Sequence, residues 1–393
     1  MNTPPTSSRH RPKASVSLPN ELISEVLSHL TVKHITQLRC VSKSWNSLIS
    51  DPFFVNLHHK KSAQNPNLAI VTGKIIESCV IPLPISRLLE NPQISISLQD
   101  DDPTCYQMEQ TVFHTVIMVG ACNGLICFVG YAYLTPQSWL YFWNPATRKM
   151  SNIVWYCRNY YNGSLIFRKL VFGYDNLSDT YKVVALRLGF LEVKVFSSGD
   201  NVWRNIQNFP VFPYYHMKDG VYLNGSVNWF VIRKNLNPFV YDSRVVTVEQ
   251  FVIVSLDLGT ETFTQLLPPR SFDFDGVPSF EPSLCVLMDC LCYCHDFKEN
   301  YFVIWQMKEF GVQESWTQFL KISYHNLEIY FDFRHLYLLP LCLSGDTLIL
   351  TNDQERQAIL YNWKDNRVER TKITNRTWWS SVKGYVESLF SYH

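Results

Sequence analysis

The spacing of apolar residues along this chain changes once, near residue 65, and no single kind of element accommodates both spacings. Before it, Leu22, Ile23, Val26, Leu27 and Leu30 recur at helical intervals and form one broad apolar face. Beyond it, runs such as Val183-Val184, Val193-Lys194-Val195-Phe196 and Phe251-Val252-Ile253-Val254 are β-branched or aromatic and bounded by turn residues. A chain of 393 residues is long enough for one small and one large domain. The pattern predicts an α+β chain: residues 1–16 a disordered leader with Pro4, Pro5 and Pro12, 17–56 a helical module, 65–393 a large all-β domain.

Composition excludes several function classes. Hydrophobic residues make up 46 % and aromatics 15 %, with only 18 % charged, so a sizeable core is available. Thirty-five basic residues against 34 acidic ones leave a net charge of +1. Nucleic-acid binders draw most of their affinity from phosphate neutralisation and need a basic excess. Here only Arg9, Arg11 and Lys13 gather, in the leader, so no nucleic-acid partner is expected. The first seventeen residues hold no apolar signal core, and no run approaches the roughly 20 apolar residues that span a bilayer. Eleven cysteines without a secretion signal read as free thiols in a reducing compartment. The expectation is a soluble intracellular protein of the nucleus or cytoplasm, with no membrane partner.

Three short helices are predicted in the module. The first follows Leu18-Pro19, where proline suits a first turn and Glu21 favours the positive dipole end. The second starts after Thr31 and aligns Val32, Ile35 and Leu38; the third carries Val41, Trp45, Leu48 and Ile49 and stops at Asp51-Pro52. From Leu18 to Ile49 there are fourteen apolar residues. Helices this short cannot hide them all, because units below about 40 residues rarely build a self-sufficient core. The surplus must be covered by the rest of this chain or by another protein.

The order Leu18-Pro19-x-Glu21-Leu22-x-x-Glu25-Val26-Leu27-x-x-Leu30-x-Val32-Lys33, then Leu38-Arg39-x-Val41-x-Lys43-x-Trp45-x-x-Leu48-Ile49-x-Asp51-Pro52-x-Phe54, resembles an F-box. Thr31 and Ser42 depart from the usual pattern without removing an apolar anchor. The resemblance implies docking to a Skp-type adaptor, and through it to a cullin and a RING protein. The residues it marks for that contact are Leu18, Pro19, Leu22, Val26, Leu27, Leu30, Val32, Leu38, Val41, Trp45, Leu48 and Ile49.

In the large domain a unit recurs: an apolar pair, a polar turn residue, then an aromatic or apolar residue opening a return strand. Asn144, Ser197, Asp257, Gln306 and Asn362 mark it. A hairpin-bearing period of about 50 residues is the mark of a kelch-like propeller, here of about six blades, and a two-sheet sandwich is the alternative. One blade is expected near Ile94-Ser95-Ile96-Ser97-Leu98. The propeller closes if a last strand within Val382 to Leu389 pairs with one such as Leu68 to Val71, which also hides exposed edges. The same region resembles the plant F-box-associated domain through Cys122-Asn123-Gly124-Leu125-Ile126-Cys127, Trp143-Asn144-Pro145-Ala146-Thr147-Arg148, Phe172-Gly173-Tyr174-Asp175, Asp179-x-Tyr181-Lys182-Val183-Val184, Val221-Tyr222-Leu223-Asn224-Gly225-x-Val227-Asn228-Trp229 and Ser315-Trp316-Thr317.

No chemistry stands out. Cys290, Cys292 and Cys294 on one strand lie about 6.6–6.8 Å apart per pair, whereas zinc needs sulfurs about 3.8 Å apart. They read as buried thiols, and no metal or cofactor is expected. There is no nucleophile elbow, phosphate loop or His-Glu-x-x-His, and the acids at Asp100-Asp101-Asp102 and at Asp273 and Asp275 read as solvated loops. Among the loop aromatics, Phe272 and Phe274 are the candidates for contact with a target. The expected protein is a non-catalytic receptor subunit of an SCF-type ubiquitin ligase. The alternatives are a binding module for a protein or glycan that promotes no degradation, and an enzyme on a propeller scaffold.

Overall fold

The N-terminal module divides into four helices, and side chains cap the last two. The computed structural model describes residues 18–74, 77–93, 106–107, 114–132, 137–157, 160–161, 164–165, 168–213, 217–233, 241–269, 276–329, 338–352, 357–371 and 382–390. The expected leader, the strand expected at 94–98 and the pair Phe272 and Phe274 lie outside these. Helix α1 spans Asn20–Ser28, α2 Val32–Leu38, α3 Lys43–Ser50 and α4 Pro52–Ser62. Thr31 precedes α2, but its hydroxyl bonds the His34 ring at 2.9 Å rather than a backbone N–H. Ser42 caps α3 by accepting from the Trp45 N–H. Asp51-Pro52 ends α3 as expected, yet it also starts α4. Asp51 accepts from the Phe53 N–H, and proline fits a first helical position because its missing donor is not needed there. The fourth helix brings Phe54, Val55 and His58 into the module's interior.

The remainder is a six-bladed propeller, not a sandwich. From the centre outward, blade 1 orders His114–Cys122, Leu125–Ala132, Gln137–Asn144 and Lys149–Met150, with Val154–Cys157 also paired to the third strand. Blade 2 holds Arg168–Asp175, Thr180–Arg187, Val193–Ser197 and Val202–Asn205. Blade 3 holds Val221–Leu223, Ser226–Ile232, Phe251–Asp257 and Phe263–Leu266. Blade 4 holds Ser283–Leu287, Cys290–Phe297, Tyr301–Met307 and Trp316–Ser323. Blade 5 holds Leu338–Ser344, Thr347–Asn352, Ala358–Asn362 and Arg367–Arg370. Blade 6 joins distant parts of the chain, Lys383–Tyr385 inside Asn67–Lys74, Glu77–Pro84 and Tyr106–Gln107. Each innermost strand touches the next all the way round, so the ring is closed.

The recurring polar residues have one physical role in four of five blades. Asn144, Ser197, Asp257 and Asn362 each end the third strand of a blade, and each side-chain oxygen accepts from a backbone N–H two or three residues on. The turn then passes through a left-handed residue at Arg148, Asn201, Glu261 or Asn366. These are Asx- and Ser-type turns, in which a short polar side chain replaces a missing backbone partner. Gln306 sits one residue before the end of its strand and departs from this pattern. Asn123-Gly124 and Asn224-Gly225 form tight turns with positive φ at both residues.

Closure occurs where the sequence places it. Lys383, Gly384 and Tyr385 pair antiparallel with Ala69, Leu68 and Asn67. Tyr385 packs with Ala69, Phe128 and Trp143, while Val382 joins Leu68, Ile349 and Leu360. The seal therefore ties blades 5, 6 and 1 together.

Candidate functional site

The twelve apolar positions marked on the helical module separate into two faces. Leu18 just before α1 and Leu22 and Val26 within it are 56–69 % exposed, and Leu30 just after it is 37 % exposed. Val41, 62 % exposed, lies between α2 and α3, and Pro19 is exposed before α1. By contrast, Leu27, Val32 and Ile49 are buried within this chain, packed with Ile35, Phe54, Val55 and Leu389. Leu38, Trp45 and Leu48 are half-buried against the same core. Of the twelve marked positions, Leu27, Val32 and Ile49 are thus covered within this chain. The added helix α4 and a segment from the far end of the propeller already cover them. Phe53, in the first turn of α4, is 73 % exposed, and sequence reading passed over it in favour of its neighbour Phe54.

The buried face is pinned by polar contacts. His58 donates from Nε2 to the Leu30 carbonyl at 2.8 Å, closing the turn after α1. Lys61 of α4 meets Glu25 of α1 at 2.8 Å. Burial pushes the imidazoles of His58 and His59 below their ordinary range, so both are neutral near pH 7. Helix α1, which carries Leu22 and Val26, is thus tied to α4 by these two contacts.

The propeller holds charged groups, but they are spent on each other. Lys182, buried in blade 2, lies 3.0 Å from Asp175 and 2.9 Å from Glu261 of blade 3, and donates to the Leu258 carbonyl. Arg204 reaches Glu261 at 2.6 Å. Burial pushes the Asp175 carboxyl up, but hydrogen bonds from Ser178, Lys182 and the Leu177 N–H outweigh it and hold it below its usual value. On the cysteine strand, Cys292 and Cys294 are buried, and Cys294 Sγ lies 3.6 Å from Cys285 Sγ of the neighbouring strand. Mutual hydrogen bonds and burial raise the Cys285 thiol well above its ordinary value, which keeps it protonated. Among the described residues no cluster of three or more metal-ligating side chains is found.

His295 carries a testable pH signature. Its Nε2 accepts from Trp305 Nε1 at 3.2 Å, which leaves Nδ1 to donate to the Asp296 carbonyl at 2.8 Å. Burial first, with the charge of Lys321 adding to it, lowers its pKa to about 4, against the Asp296 carbonyl, which raises it. Above pH 6.5 the ring is neutral folded or unfolded, and it contributes no pH dependence. Below that, the unfolded chain takes up a proton that the folded one refuses, so stability falls as pH drops from 6.5 towards 4, by about 3 kcal/mol in all. Urea unfolding at pH 7 and pH 4.5 is expected to show most of this loss. His295→Gln, whose amide oxygen can still accept from Trp305, is expected to show a slope shallower by about one proton.

Outside the helical module, Met150, Ile153 and Trp155 are exposed along the outer edge of blade 1 and line one groove with Asn201 of blade 2. Among the described residues no helix is long and apolar enough to cross a membrane.

Comparison with known proteins resolves what such a module on such a propeller is. A family profile described as the F-box domain matches residues 16–56, and one described as the F-box associated beta propeller domain matches residues 85–392. The chain belongs to the F-box proteins with an F-box-associated propeller. An F-box/kelch-repeat protein of Arabidopsis thaliana is 27 % identical, covering 95 % of this chain and 96 % of its own length. The F-box protein CPR1 of Arabidopsis thaliana is 27 % identical over 84 % of this chain and 78 % of its own. A solved chain from a nidogen/laminin complex is similar at TM-score 0.41 with 9 % identity, over 82 % of this F-box protein and 98 % of that chain. F-box and propeller domains ordinarily bind rather than catalyse.

Proposed function

We propose that this F-box protein is the target-recruiting subunit of an SCF-type ubiquitin ligase. Its helical module docks a Skp-type adaptor, which links it to a cullin and a RING protein, and its propeller holds the protein to be modified. The observation that supports the reading best is the exposed row Leu18, Leu22, Val26 and Leu30, set on a module whose other face is already covered. Because these four are only 37–69 % exposed, covering them contributes about 3–7 kcal/mol gross, so against an association cost of about 4–15 kcal/mol the exposed Val41 and Phe53 must contribute as well. The chain needs no catalytic group for this role, because holding a target beside a ubiquitin-charged partner raises the effective concentration of its lysines. The reading places the protein in the nucleus or cytoplasm, where such ligases work.

Leu22→Asp and Leu18→Asp are expected to weaken adaptor binding by at least about 100-fold, since each removes an apolar contact and places a charge in a dry interface. Both positions are exposed in the free protein, so its thermal midpoint should stay within about 2 °C of the parent. Leu27→Asp, by contrast, should unfold the module. Adaptor pull-down with calorimetry of the same samples decides. Full adaptor retention by both surface variants would end the ligase reading.

A further inference from the structure

The segment from Glu387 to Phe390 belongs to both domains at once. Just after the strand that seals the ring, Leu389 enters the core of the helical module beside Leu27, Ile49 and Phe54. Phe390 lies edge-on to the His59 ring of α4, centroids 5.7 Å apart. Glu387, half-buried in the same segment, lies near the Val32 N–H at the start of α2 and near the His59 ring. On the opposite side the segment rests on blade 1. A Cβ on Gly124 would come within 2.2 Å of the Ser388 Cβ, so the Asn123-Gly124 turn and Ser388 are in the closest approach that a bare glycine allows.

Asn144 holds this arrangement from the propeller side. Its amide is fully used: Oδ1 accepts from the Ala146 and Thr147 N–H groups, which builds the turn, and Nδ2 donates to the Ser388 carbonyl at 2.9 Å and the Phe390 carbonyl at 2.7 Å. The residue is buried. The corresponding Ser197, Asp257 and Asn362 of other blades cap their turns, as Asn144 does. Ser197 and Asp257 have no amide to donate, so they could not take the second role. Ala146, in the same turn, packs against the module's core.

We propose that Asn144 is a positioning residue that locks the 387–390 segment and so makes the helical module and the propeller one rigid body. The lock stands on contacts within this chain. Its consequence, that a target on the propeller is presented at a fixed distance from the charged ubiquitin, rests on the ligase reading above.

Asn144→Asp separates the two roles of the side chain. Its carboxylate can still accept from Ala146 and Thr147, but it now faces the Ser388 and Phe390 carbonyls with no donor. Spin labels introduced as unnatural amino acids at exposed Lys33 of α2 and exposed Asp289 of blade 4 report the distance between domains. In the full chain, the width of the distance distribution is expected to at least double in Asn144→Asp, while adaptor affinity stays within about two-fold. An unchanged narrow distribution would overturn the lock. Should Asn144→Asp fail to fold, Phe390→Ala is read in its place against the same criterion. The second readout uses the chain's own lysines as acceptors in an assembly with adaptor, cullin and RING protein. A rigid body is expected to be modified at few lysines, and the loosened variant at no fewer than twice as many. A broadened distance with an unchanged modification pattern would overturn fixed presentation while leaving the lock. Failure of the parent chain to bind adaptor would remove the ligase reading, and the label distances would still test the lock.

Discussion

A chain lacking residues 382–393 is expected to lose its cooperatively folded propeller and to collect in the insoluble fraction. The segment supplies the inner strand of blade 6, and its side chains enter three separate cores: Val382 with blades 5 and 6, Tyr385 with blades 6 and 1, and Leu389 in the helical module. Burying three such side chains contributes about 5–9 kcal/mol. A domain's whole stability is typically about 5–15 kcal/mol. Deletion also strips the Asn67–Lys74 strand of its inner partner and leaves a gap between the inner strands of blades 5 and 1. An unpaired edge in a sheet this apolar invites pairing with another chain. Circular dichroism melts and solubility after expression measure the effect. A sharp melt within about 5 °C of the full chain would show that the ring holds without its seal.

The propeller was legible in the sequence because its signal is local and repeated. A strand end, a short polar residue that caps its own turn and a return strand fit within about a dozen residues, so Asn144, Ser197, Asp257 and Asn362 could be found by pattern. Closure through 382–389 followed from the need to cover edges. The fourth helix escaped because Asp51-Pro52 is both a stop and a start: the residue before proline leaves the helical region, yet proline itself opens a helix well. Local spacing could not sort the twelve marked positions either. Leu22 and Val26 lie on one row of α1 and Ile23 and Leu27 on the adjacent one, both apolar, and only the packing of α4 and Leu389 decides which row faces inward. The second role of Asn144 was equally hidden, since its partners lie 244 and 246 residues away. For the cysteine strand, spacing excluded a metal tetrahedron but could not foresee Cys285 approaching from the strand beside it. Phe272 and Phe274 lie outside the described residues.

Lys182→Met is expected to destabilise the propeller by about 3–5 kcal/mol, the usual result of removing one partner from a buried ion pair. Asp175 is as buried as Lys182, and no other cation lies within ion-pairing distance of it among the described residues. Glu261 is less exposed to this loss, because Arg204 also holds it. The signature Phe172-Gly173-Tyr174-Asp175 and its companion Lys182 thus form a staple between blades 2 and 3, reinforced where the Tyr222 hydroxyl donates to the Tyr174 carbonyl. Arg204→Met should cost less than about 1 kcal/mol, since that side chain is over a third exposed and water screens its charge. Adding Asp175→Asn to Lys182→Met should recover at least about half of the loss: the amide oxygen can still accept from the Leu177 N–H, and no unpaired charge remains buried. The sign of the pH dependence gives a further check. In the parent, a carboxyl held below its usual value contributes stability above about pH 4 that is lost on acidification. In Lys182→Met the same carboxyl, without its counter-charge, is pushed up instead, so the gap between variant and parent should narrow as pH falls. Denaturant unfolding of the parent and the three variants at pH 7 and pH 4 measures all of this. A loss below about 1 kcal/mol in Lys182→Met at pH 7 would mean that water reaches the cluster and that the blades are held by apolar packing alone.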